Sequence, residues 1–166
     1  MIEIRQVASA GDLAVARRLF EEYWRAFDFS PSFQNFAEEV AGLPGKYAPP
    51  GGRLAIAWVD GEPAGCVALR PFDARRAEAK RLYVRPAFRG RGLGHALLRW
   101  VIEEARAAGL DELVGDTMPQ MTAALEMYDR VGFERVGPYD SNPTPGAVYL
   151  RLRLDRLERT PPPDRG

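Results

Sequence analysis

The sequence predicts an α/β chain, α+β in its details, built on one mixed sheet of about six or seven strands flanked by about four helices. Three observations predict it. Runs with strand-like alternation and runs with helical spacing are interleaved along the chain rather than grouped. Asp60-Gly61 separates two β-prone runs, as a tight hairpin turn does. The strongest amphipathic run, from Gly92 to Ala108, directly follows a strand-like run and a glycine-rich loop. The length of 166 residues, with 46% hydrophobic and 28% charged, fits one domain with an ordinary core and excludes disordered and fibrous classes.

Each element has its own warrant. Ile2 and Ile4 alternate with charged neighbours, as a half-buried strand requires. Asp12 offers a helix cap, and Leu13, Ala16, Phe20, Tyr23 and Phe27 recur at helical spacing behind it. A second short helix opens at Ser30-Pro31 and stops at Leu43-Pro44-Gly45. The stretch 44–52 holds three prolines and three glycines, so it reads as loop. Runs 54–59 and 64–69 form the hairpin, and 78–84 is a further strand closed by Pro86. The helix from Gly92 turns Leu93, Ala96, Leu97, Trp100, Val101 and Ala105 inward and Arg99, Glu103 and Arg106 to water. Run 111–116 is the next strand, 122–131 the next helix, and 133–136 and 148–154 are short strands. The proline-rich connection 137–146 is longer than usual. The domain is expected over 1–157, with 158–166 a disordered tail.

Charge and composition narrow the function. Twenty-three basic residues balance twenty-three acidic ones, which argues against a nucleic-acid partner. The N-terminal twenty residues mix charge with apolarity and form neither a signal peptide nor a membrane span, so a cytoplasmic protein without membrane partners is expected. Cys66 is the single cysteine and excludes an internal disulfide; its apolar run reads as inert core. A single histidine, His95, builds no histidine cluster, and no metal is expected. Arg75, Arg76, Arg81 and Arg85 surround one strand and read as a solvated face.

The chemistry sits in Arg89-Gly90-Arg91-Gly92-Leu93-Gly94, between a strand and the amphipathic helix. Alternate glycines let the backbone turn and leave its amides unshielded at a helix N-terminus, which suits a diphosphate; Arg89 and Arg91 add charge there. A P-loop needs Gly-Lys-Ser/Thr, and the chain has Gly94-His95-Ala96. A dinucleotide fingerprint needs a third glycine where this chain has His95 or Leu97. The remaining pattern is Arg/Gln-x-x-Gly-x-Gly/Ala, filled by Arg89, Gly92 and Gly94.

In that loop, in the run Glu78-Ala79-Lys80-Arg81-Leu82-Tyr83-Val84-Arg85-Pro86 before it, and in Ala124, Tyr128, Gly132 and Phe133 after it, the chain resembles the GNAT family of N-acetyltransferases. The likeness extends over about residues 2–155. It implies acetyl-CoA as cosubstrate, held by Leu82, Tyr83 and Val84 on the strand and by Arg89, Gly90, Arg91, Gly92, Leu93, Gly94 and His95 at the loop and helix start. It implies an N-acetyltransferase that passes the acetyl group directly to a primary amine of a small molecule or peptide. A catalytically inactive acyl-CoA-binding regulatory module is the alternative, and a dinucleotide-binding protein a weaker third. One departure shows: the family often has Asn where this chain has Met121, which touches one polar contact to the pantetheine arm.

The roles that the resemblance implies stand beside plainer readings. Tyr128 is a core aromatic by position and the family's general acid by resemblance. A phenol of pKa about 10 can protonate a departing thiolate of pKa about 8.5. Glu78 is a strand-end carboxylate or the base that deprotonates the amine, with Asp116 or a water relay as rivals. His95 reads as a phosphate-side or solvent residue. Tyr139, Asp140 and Asn142 in the 137–146 connection are either acceptor-binding residues or parts of a plain surface loop, with the 44–52 loop the other candidate wall. The acceptor is expected to be an amine of unspecified identity and the protein a monomer or homodimer.

Overall fold

The computed structural model describes residues 1–26, 36–139 and 145–154. Its elements run β1 (Ile2–Gln6), α1 (Ala10–Ala26), α2 (Phe36–Ala41), a 3-10 turn (Gly45–Tyr47), β2 (Arg53–Val59) and β3 (Glu62–Pro71). There follow β4 (Arg76–Val84), a 3-10 turn (Pro86–Phe88), α3 (Leu93–Ala107), β5 (Glu112–Thr117), α4 (Thr122–Val131), β6 (Glu134–Val136) and β7 (Val148–Arg153). Among the described residues seven strands form one mixed sheet, in the order β1-β2-β3-β4-β5-β7-β6. The chain divides into two compact units: Met1–Pro71 with Ala79–Val101, and Phe72–Glu78 with the chain from Ile102 onward.

In the first unit the β2–β3 hairpin closes as the sequence reads. Asp60 and Gly61 both have positive φ, 49° and 82°, the conformation of a turn that matches strand twist. The cap of α1 differs from the expectation. Ser9 holds the position: its Oγ accepts the Asp12 N–H at 3.1 Å, and its carbonyl accepts the Leu13 N–H. Asp12 instead reaches back, accepting the Ala8 N–H at 3.1 Å, because a side chain three residues into the helix is placed to return the bond. Ala16, Leu19, Phe20, Tyr23 and Trp24 of α1 are buried, with the Phe20 ring edge-on to Tyr47 and Trp24 stacked on Phe36. The expected inward Phe27 and the expected start of the second helix at Ser30-Pro31 lie outside the described residues.

The buried stripe of α3 is Leu93, Leu97, Leu98, Val101, Ile102 and Ala105. Ala96 and Trp100, expected inward, are only half-buried, because a wider stripe shifted toward Leu98 and Ile102 meets the core. Arg106 is half-buried and bonds Glu103 at 2.8 Å rather than facing water freely.

In the second unit β4 and β5 run parallel and pair over Arg76–Glu112, Ala77–Leu113 and Glu78–Val114. β7 pairs antiparallel with β5 on one side and β6 on the other. The expected tail at 158–166 lies outside the described residues. No helix among the described residues is long and apolar enough to cross a membrane.

Candidate active site

The glycine-rich loop belongs to the first unit. Gly90 and Gly92 take φ of 82° and 78°, a region that only glycine enters without strain, and an added Cβ at either would meet nothing. The loop is therefore open on its outer side, and α3 starts at Leu93 immediately after it, with the Gly92 carbonyl accepting the Ala96 N–H at 3.0 Å. Gly94 lies within the first turn of α3 and His95 is exposed beside it. Arg89 and Arg91 are exposed: the Arg89 Nε donates to the Val84 carbonyl at 3.2 Å, and Arg91 lies over the Phe88 ring. Both keep donors at the mouth of the loop, so the site fits a diphosphate by charge and by amide exposure.

Of the basic stretch, Arg75 is exposed as a solvated face requires, whereas Arg81 and Arg85 turn inward. Arg81 is 6% exposed, and its guanidinium bonds both Glu39 oxygens, Nε to Oε2 at 2.8 Å and Nη2 to Oε1 at 3.1 Å. Burial pulls its pKa down, but the Glu39 hydrogen bond and charge outweigh this and hold it above the ordinary value. Arg85 forks onto Glu22 at 2.9 and 2.7 Å and reaches the Pro63 carbonyl. In the second unit, Arg75 pairs with Asp111 and Arg76 with Asp73. For Arg75, Arg81 and Arg85 the carboxylate partner lies far off in sequence, whereas Asp73 is only three residues from Arg76.

Arg81 also has φ of 59° in mid-strand. Such a residue breaks the two-residue alternation, so parity counted through it no longer assigns Leu82 and Val84 a face. Leu82 and Val84 are half-buried and Tyr83 buried, with the Tyr83 ring edge-on to Tyr23. Also in the first unit, Glu38, Glu39, Lys46, Tyr47 and Arg70 line a cavity of about 410 Å³ together with Pro44 and Gly45 of the 44–52 loop. Cys66 is fully buried, its thiol donating to the Arg81 carbonyl at 3.3 Å, and burial pushes its pKa well up.

In the second unit Glu78 is only 2% exposed. Its partner in β5 is Val114; Asp116 lies two residues on and pairs with Tyr149 of β7. Side chains alternate along a strand, so Glu78, Asp116 and Tyr149 share one sheet face. The Tyr139 hydroxyl donates to Glu78 Oε2 at 2.6 Å. The Tyr139 ring stands edge-on to Phe72 at 5.3 Å and to Tyr149 at 5.2 Å. Asp140 and Asn142, expected beside it, lie outside the described residues.

Tyr128 lies in the last turn of α4 and is 6% exposed. Gly132 caps the helix in the left-handed region at φ 106°, its N–H donating to the Tyr128 carbonyl at 3.1 Å. The Phe133 N–H donates to the same carbonyl, and its ring meets Tyr128 edge-on at 5.0 Å. The Tyr-x-x-x-Gly-Phe spacing is thus a helix cap that fixes the tyrosine ring. Met121, the departure from the family's pattern, accepts the Thr117 hydroxyl on its sulfur at 3.1 Å, so a buried hydroxyl has a partner there. Among the described residues no group of three His, Cys, Asp or Glu side chains converges as a metal site does. Sequence reading did not link Tyr139 to Glu78, because 61 residues separate them.

Comparison with known proteins gives the family of the chain. The family model described as acetyltransferase (GNAT) family matches residues 15–133. An uncharacterised N-acetyltransferase of Schizosaccharomyces pombe is 37% identical over 157 residues, covering 93% of this chain and 96% of that one. An IAA acetyltransferase of Azospirillum brasilense is 32% identical over 140 residues, covering 82% and 89%. A Salmonella typhimurium acetyltransferase structure with its cofactor acetyl-CoA superposes with a TM-score of 0.72 at 20% identity, covering 93% and 95%. The chain belongs to the GNAT family of acetyltransferases and is an acyltransferase.

Proposed function

We propose that the protein transfers the acetyl group of acetyl-CoA directly to a primary amine of a small molecule or peptide. The observation that carries the reading is Glu78, a carboxylate almost wholly removed from water and held by a tyrosine hydroxyl. Glutamate is rarely buried without a partner and a purpose. An amine of pKa about 10.4 must lose a proton before it attacks a thioester, and Glu78 is placed in this reading to take it, with Asp116 on the same face as the rival.

Acetyl-CoA as donor is supported by family membership, by the open loop at the start of α3, and by the similar structure that contains it. In the transfer the nitrogen–carbon bond forms as the carbon–sulfur bond breaks, and the Tyr128 hydroxyl supplies a proton to the thiolate. A backbone amide of the Glu78–Val84 strand polarises the thioester oxygen. Much of the rate comes from holding donor and acceptor together.

A panel of amino acids, polyamines, aminoglycosides and peptides, each incubated with acetyl-CoA and read by free thiol release, tests the proposal. Turnover on at least one amine is expected. Tight acetyl-CoA binding with no turnover on any of them would replace it with a regulatory acyl-CoA-binding module.

A further inference from the structure

We infer that Tyr139 is a positioning residue: its hydroxyl sets the orientation of the Glu78 carboxylate, and it does not grip the acceptor. The inference rests on the reading of Glu78 as the base. At 2.6 Å the O–H···O distance is that of a charge-assisted bond from a hydroxyl to a carboxylate. Two rings hold the phenol that makes it. Phe72 abuts one edge and Tyr149 of β7 another, at interplanar angles of 85° and 86°. Phe72 is itself fixed, its N–H donating to the Arg76 carbonyl at 3.0 Å and the Arg76 guanidinium lying over its ring at 4.7 Å. A side chain clamped this way has little rotamer freedom left, so it serves geometry better than it serves a variable ligand.

During transfer a proton leaves the attacking nitrogen for the Glu78 carboxylate, and Tyr139 keeps its own proton throughout. Its hydrogen bond remains possible after that protonation, because the carboxyl oxygen still accepts. Tyr139 thereby holds the base in one orientation before and after the step.

A double-mutant cycle tests this with acetyl-CoA and the panel amine that the wild-type protein acetylates fastest. Tyr139→Phe keeps the ring and its two edge contacts but takes a hydrogen bond from a buried carboxylate, so the variant should stay folded with a Tm lower by several degrees. Its kcat should fall by roughly 10- to 100-fold with both KM values little changed. In a Glu78→Gln background the same change should cost almost nothing, because a residue acting only through Glu78 has nothing left to position. Equal losses in both backgrounds, or a raised amine KM at unchanged kcat, would overturn the inference and return Tyr139 to the acceptor. A loss in Glu78→Gln with none in Tyr139→Phe would overturn the inference and leave the base assignment standing. No loss in Glu78→Gln would remove both. A substrate-free measurement stands apart from any turnover: the carboxylate stretch assigned by subtracting the Glu78→Gln infrared spectrum should move in Tyr139→Phe. An unmoved band overturns the inference.

Discussion

The Arg81 guanidinium and the Glu39 carboxylate meet fork to fork, joining mid-strand β4 to the short helix α2 across 42 residues of sequence. The Tyr47 hydroxyl donates to the same carboxylate at 2.8 Å, and Arg81 lies 5.8 Å from the Tyr23 ring centroid and 5.5 Å from that of Phe36. A buried guanidinium surrounded by rings depends heavily on its carboxylate partner. Glu39→Ala should therefore lower the unfolding free energy by about 3–5 kcal/mol, the usual result of leaving a buried charge unpaired. Urea denaturation measures it, and a variant as stable as wild type would show the pair to be dispensable.

The two loop glycines at 92 and 94 should respond differently to substitution. Gly92 sits at φ 78°, so Gly92→Ala should both strain the backbone, by roughly 1 kcal/mol, and raise the acetyl-CoA KM. Gly94 lies inside α3, where alanine is the better helix former. Gly94→Ala should leave the Tm unchanged or higher, and Gly94→Val should raise the acetyl-CoA KM by crowding the diphosphate. Thermal melts and donor-saturation kinetics on the three variants separate the effects; an unaltered KM in Gly94→Val would move the diphosphate elsewhere.

Tyr128→Phe removes one oxygen and keeps the ring edge against Phe133. Its kcat should fall by about 10²-fold or less, with coenzyme affinity nearly unchanged. Calorimetric binding of acetyl-CoA alongside steady-state rates checks both halves, and a full-rate phenylalanine variant would return Tyr128 to a purely structural role.

Alkaline pH should weaken the fold. Burial raises the Cys66 thiol well above its ordinary 9.0 and the Tyr47 phenol well above its ordinary 10.0, although the nearby Arg81 pulls each partly back. Both groups are neutral when protonated, so the folded state keeps protons that the unfolded chain would release. The contribution to stability is complete below pH 9 and shrinks as pH rises through and beyond 10. Denaturation midpoints measured from pH 8 to 11 should decline, and Cys66→Ala should flatten part of the decline. Under native conditions Cys66 should also resist thiol reagents that modify it in urea.

Local chemistry made most of the architecture readable. The Asp60-Gly61 turn and the β-prone runs on either side of it are each decided within a few residues. The loop was legible for the same reason, since left-handed φ at Gly90 and Gly92 is a glycine property. What escaped the sequence depends on distant partners. Nothing near Arg81 announces that Glu39 will draw it inward, and nothing near Tyr139 announces Glu78. The cap of α1 passed from Asp12 to Ser9 on a smaller scale, because both side chains can bond the same turn and only the backbone path decides between them.

The strand order leaves β7 between β5 and β6 although it is the last of the three to be synthesised. On the ribosome, β5 and β6 emerge without the neighbour that joins them, and β5 waits some thirty residues with its antiparallel edge bare. That edge is Leu113-Val114-Gly115, an apolar stretch of the kind that pairs with stray strands. Completion of the second unit thus waits for Val148–Arg153 to insert between β5 and β6 as an interior strand. Removing β7 would take out an interior strand rather than trim an edge, and would leave a nascent-like chain prone to aggregate.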